Sequence, residues 1–303
     1  FDFSYTVDGR PSSSDFGTDN YGADMCFTEI RLPFLMQALE NTEADIIALQ
    51  EVTPEFLKWI LLQEWVRQSY YVSDITGSTI TPYGNLLLSK LPFKDIHLCH
   101  YKIEPKSFIV ANFLINDQLQ SFVNIHLKAG VFKTFGPTRV SQLNQIIGEQ
   151  LFGICVEARN DNDNTTVSIP YDAPISTSHA FLVGDFNFKD WENETNPDLE
   201  KFYTDCWVYL HKDDVGFTYN LETNQLAKYI SDKVSEKKGT TGYSSRFDRI
   251  LAFPKITQLE ENKARWVPNT IQMIGVEPVH TTPEGKLVWI SDHFGLQADF
   301  LWL

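Results

Sequence analysis

The sequence predicts an α/β fold: a core of two sheets with helices packed outside. Three observations carry this. Short apolar or alternating runs recur along the chain, helical apolar spacing appears between them, and ionisable residues collect where the runs end. The runs at 45–49, 84–88, 107–115, 121–126, 181–184 and 249–253 read as strands, and 296–301 alternates in period two. Between them, 27–41 places Ile30, Leu32, Phe34, Leu35 and Leu39 near one helical face, and 138–153 does so with Val140, Leu143, Ile146 and Ile147. The stretch 58–65 is amphipathic enough for a further core helix. Two polar segments, 157–178 and 232–245, read as surface loops rather than linkers, so 1–303 is expected to form a single domain.

The chain has 303 residues, 43% of them hydrophobic, which suffices for a large buried core without covalent staples. No run approaches the roughly 20 apolar residues needed to cross a bilayer, and no membrane partner is expected. The first residue is Phe, which suggests a fragment or processed product. Cys26, Cys99, Cys155 and Cys206 show neither metal nor redox spacing and read as buried thiols of a reducing compartment. The sequons at Asn164 and Asn193 are short enough to arise by chance, and the expected location is intracellular, nuclear or cytoplasmic. A net charge of −15 argues against non-specific coating of nucleic acid. It suits a site that gathers carboxylates around a divalent cation.

Chemistry is concentrated at strand ends. The run Ala180-Phe181-Leu182-Val183 finishes in Gly184-Asp185-Phe186-Asn187, so a carboxylate and an amide two residues apart leave the strand on the same side. The carboxylate can take a proton from water while the amide fixes the attacking oxygen. Turn chemistry explains Asp-x-Asn equally well when it stands alone. Ile46-Ile47-Ala48-Leu49-Gln50 ends in Glu51, Val123-Asn124-Ile125 in His126, Asp248 opens the run to Phe253, and Asp292-His293 precede the last strand. Each has a plain explanation: a helix-start acid, a core histidine, an ion pair with Arg246 or Arg249, a turn. Their joint occurrence is the signal, because buried strands do not collect ionisable ends unless the charges are paired or bind a metal. Hydrolysis of a phosphate ester wants this set: a hard cation on one or two carboxylates, a separate carboxylate for water, and imidazolium groups facing the phosphoryl oxygens.

In order, "YTVDG", "LQEV", "NIHLKAG", "GDFN", "RFDRI" and "SDHFG" resemble the motifs of the endonuclease/exonuclease/phosphatase superfamily over nearly the whole chain. That resemblance implies a four-layer α/β sandwich, two mixed sheets face to face with helices on the outer faces, and a site at one end. It implies Mg²⁺, with Mn²⁺ as a substitute, held by Glu51 and Asp292 and reached by Asp8. Asp185 and Asn187 would activate water, His126 and His293 would contact phosphate, and Asp248 would orient His293. One departure concerns Thr6, which stands where the family has Asn and offers one hydroxyl for an amide. The run "GDFNFKDWENE", then Asp205-Cys206-Trp207, "GFTYN" and "RFDRI", is most similar to the 5′-tyrosyl-DNA phosphodiesterase (tyrosyl-DNA phosphodiesterase 2) branch. This implies a monomer acting on a DNA 5′ end with a tyrosyl adduct, single-stranded ends included. Lys189 would touch the backbone and Tyr219 would offer a base platform worth roughly 1–3 kcal/mol. The alternatives are a relative acting on inositol phosphates or sphingomyelin-type lipids, and a binding module disabled at Thr6.

Overall fold

The structure is a computed structural model that describes residues 27–103, 105–130, 135–152, 156–159, 166–169, 179–189, 197–239, 241–258 and 265–303. Thr6 and Asp8 lie outside them.

Helix α1 (Thr28–Asn41) buries Leu32, Leu35, Met36 and Leu39, one helical face, against β1 (Ile46–Val52) and α2 (Pro54–Leu62). Phe34 points outward and is 40% exposed, so Met36 takes the core place expected of it. Thr53 caps α2 by accepting from the Phe56 amide at 3.2 Å, with Pro54 preset for the first turn. A short α3 (Glu64–Ser69) leads to β2 (Tyr71–Val72) and β3 (Gly84–Ser89), giving a three-stranded sheet in the order β1-β3-β2.

The larger sheet is mixed and six-stranded. Its strands are β4 (Asp95–His100), β5 (Ser107–Ile115), β6 (Gln118–His126), β9 (His179–Asp185), β10 (Thr204–Asp205) and β11 (Asp248–Phe253), ordered β10-β11-β9-β6-β5-β4. Only β6 and β9 pair in parallel within it. Their crossover carries α4 (Phe135–Phe152), as a parallel connection requires. Period two then sorts the side chains. Phe108, Val110, Val123, Ile125 and Leu182 pack under Leu143, Ile146 and Ile147 of α4. The opposite face, through Ile109, Ala111, Phe113 and Phe122, meets Ile46, Ala48 and Leu87 of the small sheet. Phe181, Val183 and Ile250 meet the antiparallel pair β12 (Trp266–Ile274) and β15 (Gly295–Trp302). Helices therefore lie outside two facing sheet layers, the α/β sandwich expected from the sequence.

The expected loops are corrected in part. Within 157–178, β7 (Val156–Arg159) pairs antiparallel with β8 (Thr166–Ile169). The first half of 232–245 is the end of α7 (Gln225–Lys238), which follows α5 (Pro197–Phe202) and α6 (Cys206–Leu210). Its polar sequence is helical because Asn224 caps the start, Gly239 closes the end at φ 63, and Lys228–Asp232 and Lys233–Glu236 pair one turn apart at 3.0 and 3.2 Å. Strand β12 is not legible in the sequence because Pro268 interrupts it, and the register shifts there, where a bulge tolerates proline. A 3-10 turn (Ile256–Gln258) and the short strands β13 (His280–Thr281) and β14 (Leu287–Val288) complete the described elements.

Candidate active site

Register builds the centre of the site. His126 ends β6 directly beside Asp185 of β9, and Asp185 lies directly beside Asp248 of β11. One row across the sheet edge thus delivers an imidazole and two carboxylates, all buried. The close approach of β6 and β9 depends on Gly184, whose φ is 126. A β-carbon there would stand 2.2 Å from the Ile125 carbonyl oxygen.

The Asp185 carboxylate is held from both sides. Oδ1 accepts from the Asn187 backbone amide at 2.6 Å, and Oδ2 accepts from Asn187 Nδ2 at 2.9 Å. Asn187 reaches it because its backbone is left-handed, φ 51, and it donates again to the Leu127 carbonyl at 3.2 Å. Burial raises the Asp185 carboxyl to about 6, and the Asp248 charge adds to this. His293, the Asn187 amide and Lys106 pull the other way. A carboxylate poised there can exchange a proton near neutral pH.

His293 Nδ1 donates to Asp248 Oδ2 at 2.9 Å. Burial disfavours the imidazolium, but the charges of Asp248, Asp292 and Asp185 and the hydrogen bond to Asp248 outweigh it, raising the His293 pKa well above the usual histidine range. Asp248 is correspondingly lowered: burial opposes its charge, and His293 overcomes that. Of the two arginines that flank Asp248 in sequence, Arg246 is engaged elsewhere: its Nη1 donates to Asp205 Oδ2 at 2.6 Å.

On the other flank, Glu51 lies one residue before the end of β1, within a register break, and is left-handed, φ 54. Its Oε1 lies 3.4 Å from His126 Nε2, and Asp185 Oδ2 lies 3.7 Å from the same nitrogen. Glu51, His126 and Asp185 therefore stand together although they come from both sheets. Asp292 is buried between Ser291, whose hydroxyl donates to its Oδ1 at 3.4 Å, and His293.

The two proposed substrate contacts land differently. Tyr219 packs its ring against that of His293, centroids 5.0 Å apart and planes inclined at 52°, and donates its hydroxyl to the Ala227 carbonyl at 3.0 Å, so it props the imidazole. Lys189 is only 1% exposed, with Nζ 5.2 Å above the ring of Tyr243.

Three site residues escape the sequence patterns. Lys106 Nζ is 3.0 Å from His126 Nε2 and 5.9 Å from the centre of the Tyr83 ring. It precedes β5, and antiparallel pairing brings the start of β5 beside the end of β6, a placement that no local sequence pattern marks. Thr218 accepts from the Phe247 and Asp248 amides at 3.1 and 3.0 Å, and Asn224 donates to the Ser291 and Asp292 carbonyls at 2.9 and 3.3 Å. Both look like ordinary turn residues in sequence.

The donor set suits a hard divalent cation. Glu51, Asp185, Asp248 and Asp292 bring four buried or nearly buried carboxyls to one edge with no thiolate, and such a cluster calls for positive charge. Among the described residues no group of three or more His, Cys, Asp or Glu side chains is placed so that it could hold a metal ion. An ion that keeps most of its waters, as Mg²⁺ does, needs only one or two carboxylates.

Known proteins share this architecture. The structure of D. rerio TDP2 complexed with single strand DNA product superposes with a TM-score of 0.63 at 18% identity, covering 93% of this chain and 95% of that one. TDP2 from C. elegans gives 0.58 at 20% identity over 95% and 73%, and a beta toxin of Staphylococcus aureus gives 0.58 at 15% over 90% and 92%. At these identities the likeness establishes the fold. No curated protein matches the chain in sequence. The model of the endonuclease/exonuclease/phosphatase family matches residues 32–293, from α1 through His293, and the chain belongs to that family.

Proposed function

We propose that this chain is a Mg²⁺-dependent phosphodiesterase that hydrolyses a phosphoester at DNA 5′ ends, 5′-tyrosyl-DNA above all. The observation that carries the hydrolytic part is the row His126–Asp185–Asp248, closed by the 2.9 Å contact of Asp248 with His293. It pairs a carboxyl raised to about 6 with an imidazole held charged, the separation of acid and base that proton transfer to and from a phosphoester demands.

Glu51 and Asp292 would hold the cation, with Asp8 contributing from outside the described residues. Bound there, a divalent ion supplies Lewis acidity toward the phosphoryl and leaving oxygens. The protein's own groups do the rest. Asp185, fixed by both nitrogens of Asn187, removes a proton from the attacking water. His293, aimed by Asp248, places positive charge against a non-bridging oxygen. Lys106 and His126 add donors on the opposite flank, next to Glu51.

The DNA-end branch draws support from the "GDFNFKDWENE" motif at 184–194, the later "GFTYN" and "RFDRI" segments, and the likeness to TDP2 with a single strand DNA product. A panel of 5′-tyrosyl oligonucleotide, abasic duplex, inositol phosphates and sphingomyelin, each with Mg²⁺ or Mn²⁺, tests it. Turnover of the tyrosyl oligonucleotide that is abolished in Asp185→Asn is expected. Turnover of a lipid alone would remove the DNA assignment. A large gain on Thr6→Asn would show a family site undersupplied at that position.

A further inference from the structure

Beneath the Asp292–His293 corner, a single buried amide serves two elements. Asn224 Oδ1 accepts from the Leu226 and Ala227 amides at 3.0 and 3.1 Å, which starts α7. Its Nδ2 donates to the carbonyls of Ser291 and Asp292 at 2.9 and 3.3 Å. The assignment of O and N follows from the partners: two donors face one atom and two acceptors the other. Those carbonyls belong to the peptide planes on either side of Asp292. Fixing both planes fixes the backbone dihedrals of Asp292, hence the direction in which its side chain leaves the backbone and the entry into His293. Two neighbouring ties hold the same corner: Phe294 donates its amide to the Thr218 carbonyl at 2.7 Å, and the hydroxyl of Tyr219, whose ring packs on His293, reaches the Ala227 carbonyl in the first turn of α7.

We propose that Asn224 is a positioning residue for the reaction: through its amide the start of α7 sets the orientation of Asp292 and His293. The proposal rests on the phosphodiesterase reading for its kinetic consequence, though not for its structural one. Orienting partners of this kind change activity by about 10–100-fold when removed.

The cap and the positioning role come apart chemically. Asn224→Asp and Asn224→Ser both keep an oxygen that can cap α7, but an ionised carboxylate donates nothing and a serine hydroxyl cannot reach both carbonyls. Asn224→Ala loses both functions. Amide hydrogen exchange, thermal midpoint and steady-state kinetics on a 5′-tyrosyl oligonucleotide would be measured on the full chain. For the Asp and Ser variants the expected result is faster exchange at 289–295, parental exchange at 225–236, a nearly unchanged midpoint, and kcat lowered about 10–100-fold with KM close to the parent's. The Ala variant should speed exchange in both segments. Should the Asp variant fail to fold, the Ser variant carries the comparison. Parental exchange at 289–295, or faster exchange there at parental kcat, overturns the proposal. So does loosening of α7 in step in all three variants, which would make Asn224 a cap and nothing more. A parent inactive on every phosphoester would sink the phosphodiesterase reading, while the exchange data would still decide whether Asn224 holds the corner.

Discussion

Gln50 donates its side-chain amide to Asn124 Oδ1 at 2.7 Å, a hydrogen bond that crosses from the small sheet to the large one immediately beneath the site. Gln50 precedes Glu51 and Asn124 lies two residues before His126, so this bond sets the spacing of groups that stand 3.4 Å apart above it. Asn124 adds two donations, to the Leu49 and Leu86 carbonyls at 3.0 and 2.9 Å, and is fully buried. A satisfied polar clamp of this kind specifies one relative placement of two sheets that apolar packing alone leaves free to slide.

Asn124→Leu should therefore cost more than its change in volume suggests. It strands the Gln50 amide and removes three hydrogen bonds, a loss of about 2–4 kcal/mol. Urea unfolding measures this directly. A loss under about 0.5 kcal/mol would be ordinary for a surface site and incompatible with a clamp.

Gly184→Ala tests the register row. The backbone at φ 126 disfavours any side chain, and the new methyl would meet the Ile125 carbonyl and come within 3.1 Å of Gln50 Nε2. The strands β6 and β9 must part, lowering stability by more than about 2 kcal/mol and separating His126 from Asp185. Near-parental unfolding and turnover would mean that the pairing tolerates a side chain here.

Much of this was legible in the sequence because period two and strand ends are local properties. Glu51, His126, Asp185, Asp248 and Asp292-His293 all announce themselves as polar breaks in apolar runs, and the sheet register brings His126, Asp185 and Asp248 into line. What stayed hidden depends on partners distant in the chain. Lys106 matters only because β5 is antiparallel to β6, and Asn224 only because its amide meets carbonyls 67 and 68 residues away. Polar α7 reads as a loop until its two caps are recognised. The left-handed backbone of Glu51 is likewise written in tertiary contacts rather than in residue type, whereas Asn187 is a residue type that tolerates it.

Asp248→Asn should damage catalysis more than folding. The amide is nearly isosteric, but it removes the charge that keeps His293 protonated and aimed. We expect kcat to fall about 10–100-fold, with KM little changed if His293 acts mainly in the transition state. Equal losses in kcat and in unfolding midpoint would instead mark the pair as structural.

The raised Asp185 carboxyl makes a prediction about stability whose sign is fixed. In the folded protein it holds its proton to about pH 6, whereas the ordinary value is 3.8. Between these values the folded state binds more protons than the unfolded one, so stability falls as pH rises. The contribution is fully present below about pH 4 and lost through pH 6, on the order of 2–3 kcal/mol at most. Asp185→Asn should flatten that slope in metal-free buffer. Millimolar Mg²⁺ should flatten it in the parent too, because a nearby dication favours the ionised carboxylate and lowers its pKa. Thermal midpoints across pH 4–7, with and without Mg²⁺, check both effects. A parent whose slope is identical to that of Asp185→Asn would show that Asp185 is ionised throughout this range, and so poorly matched to accept a proton from water.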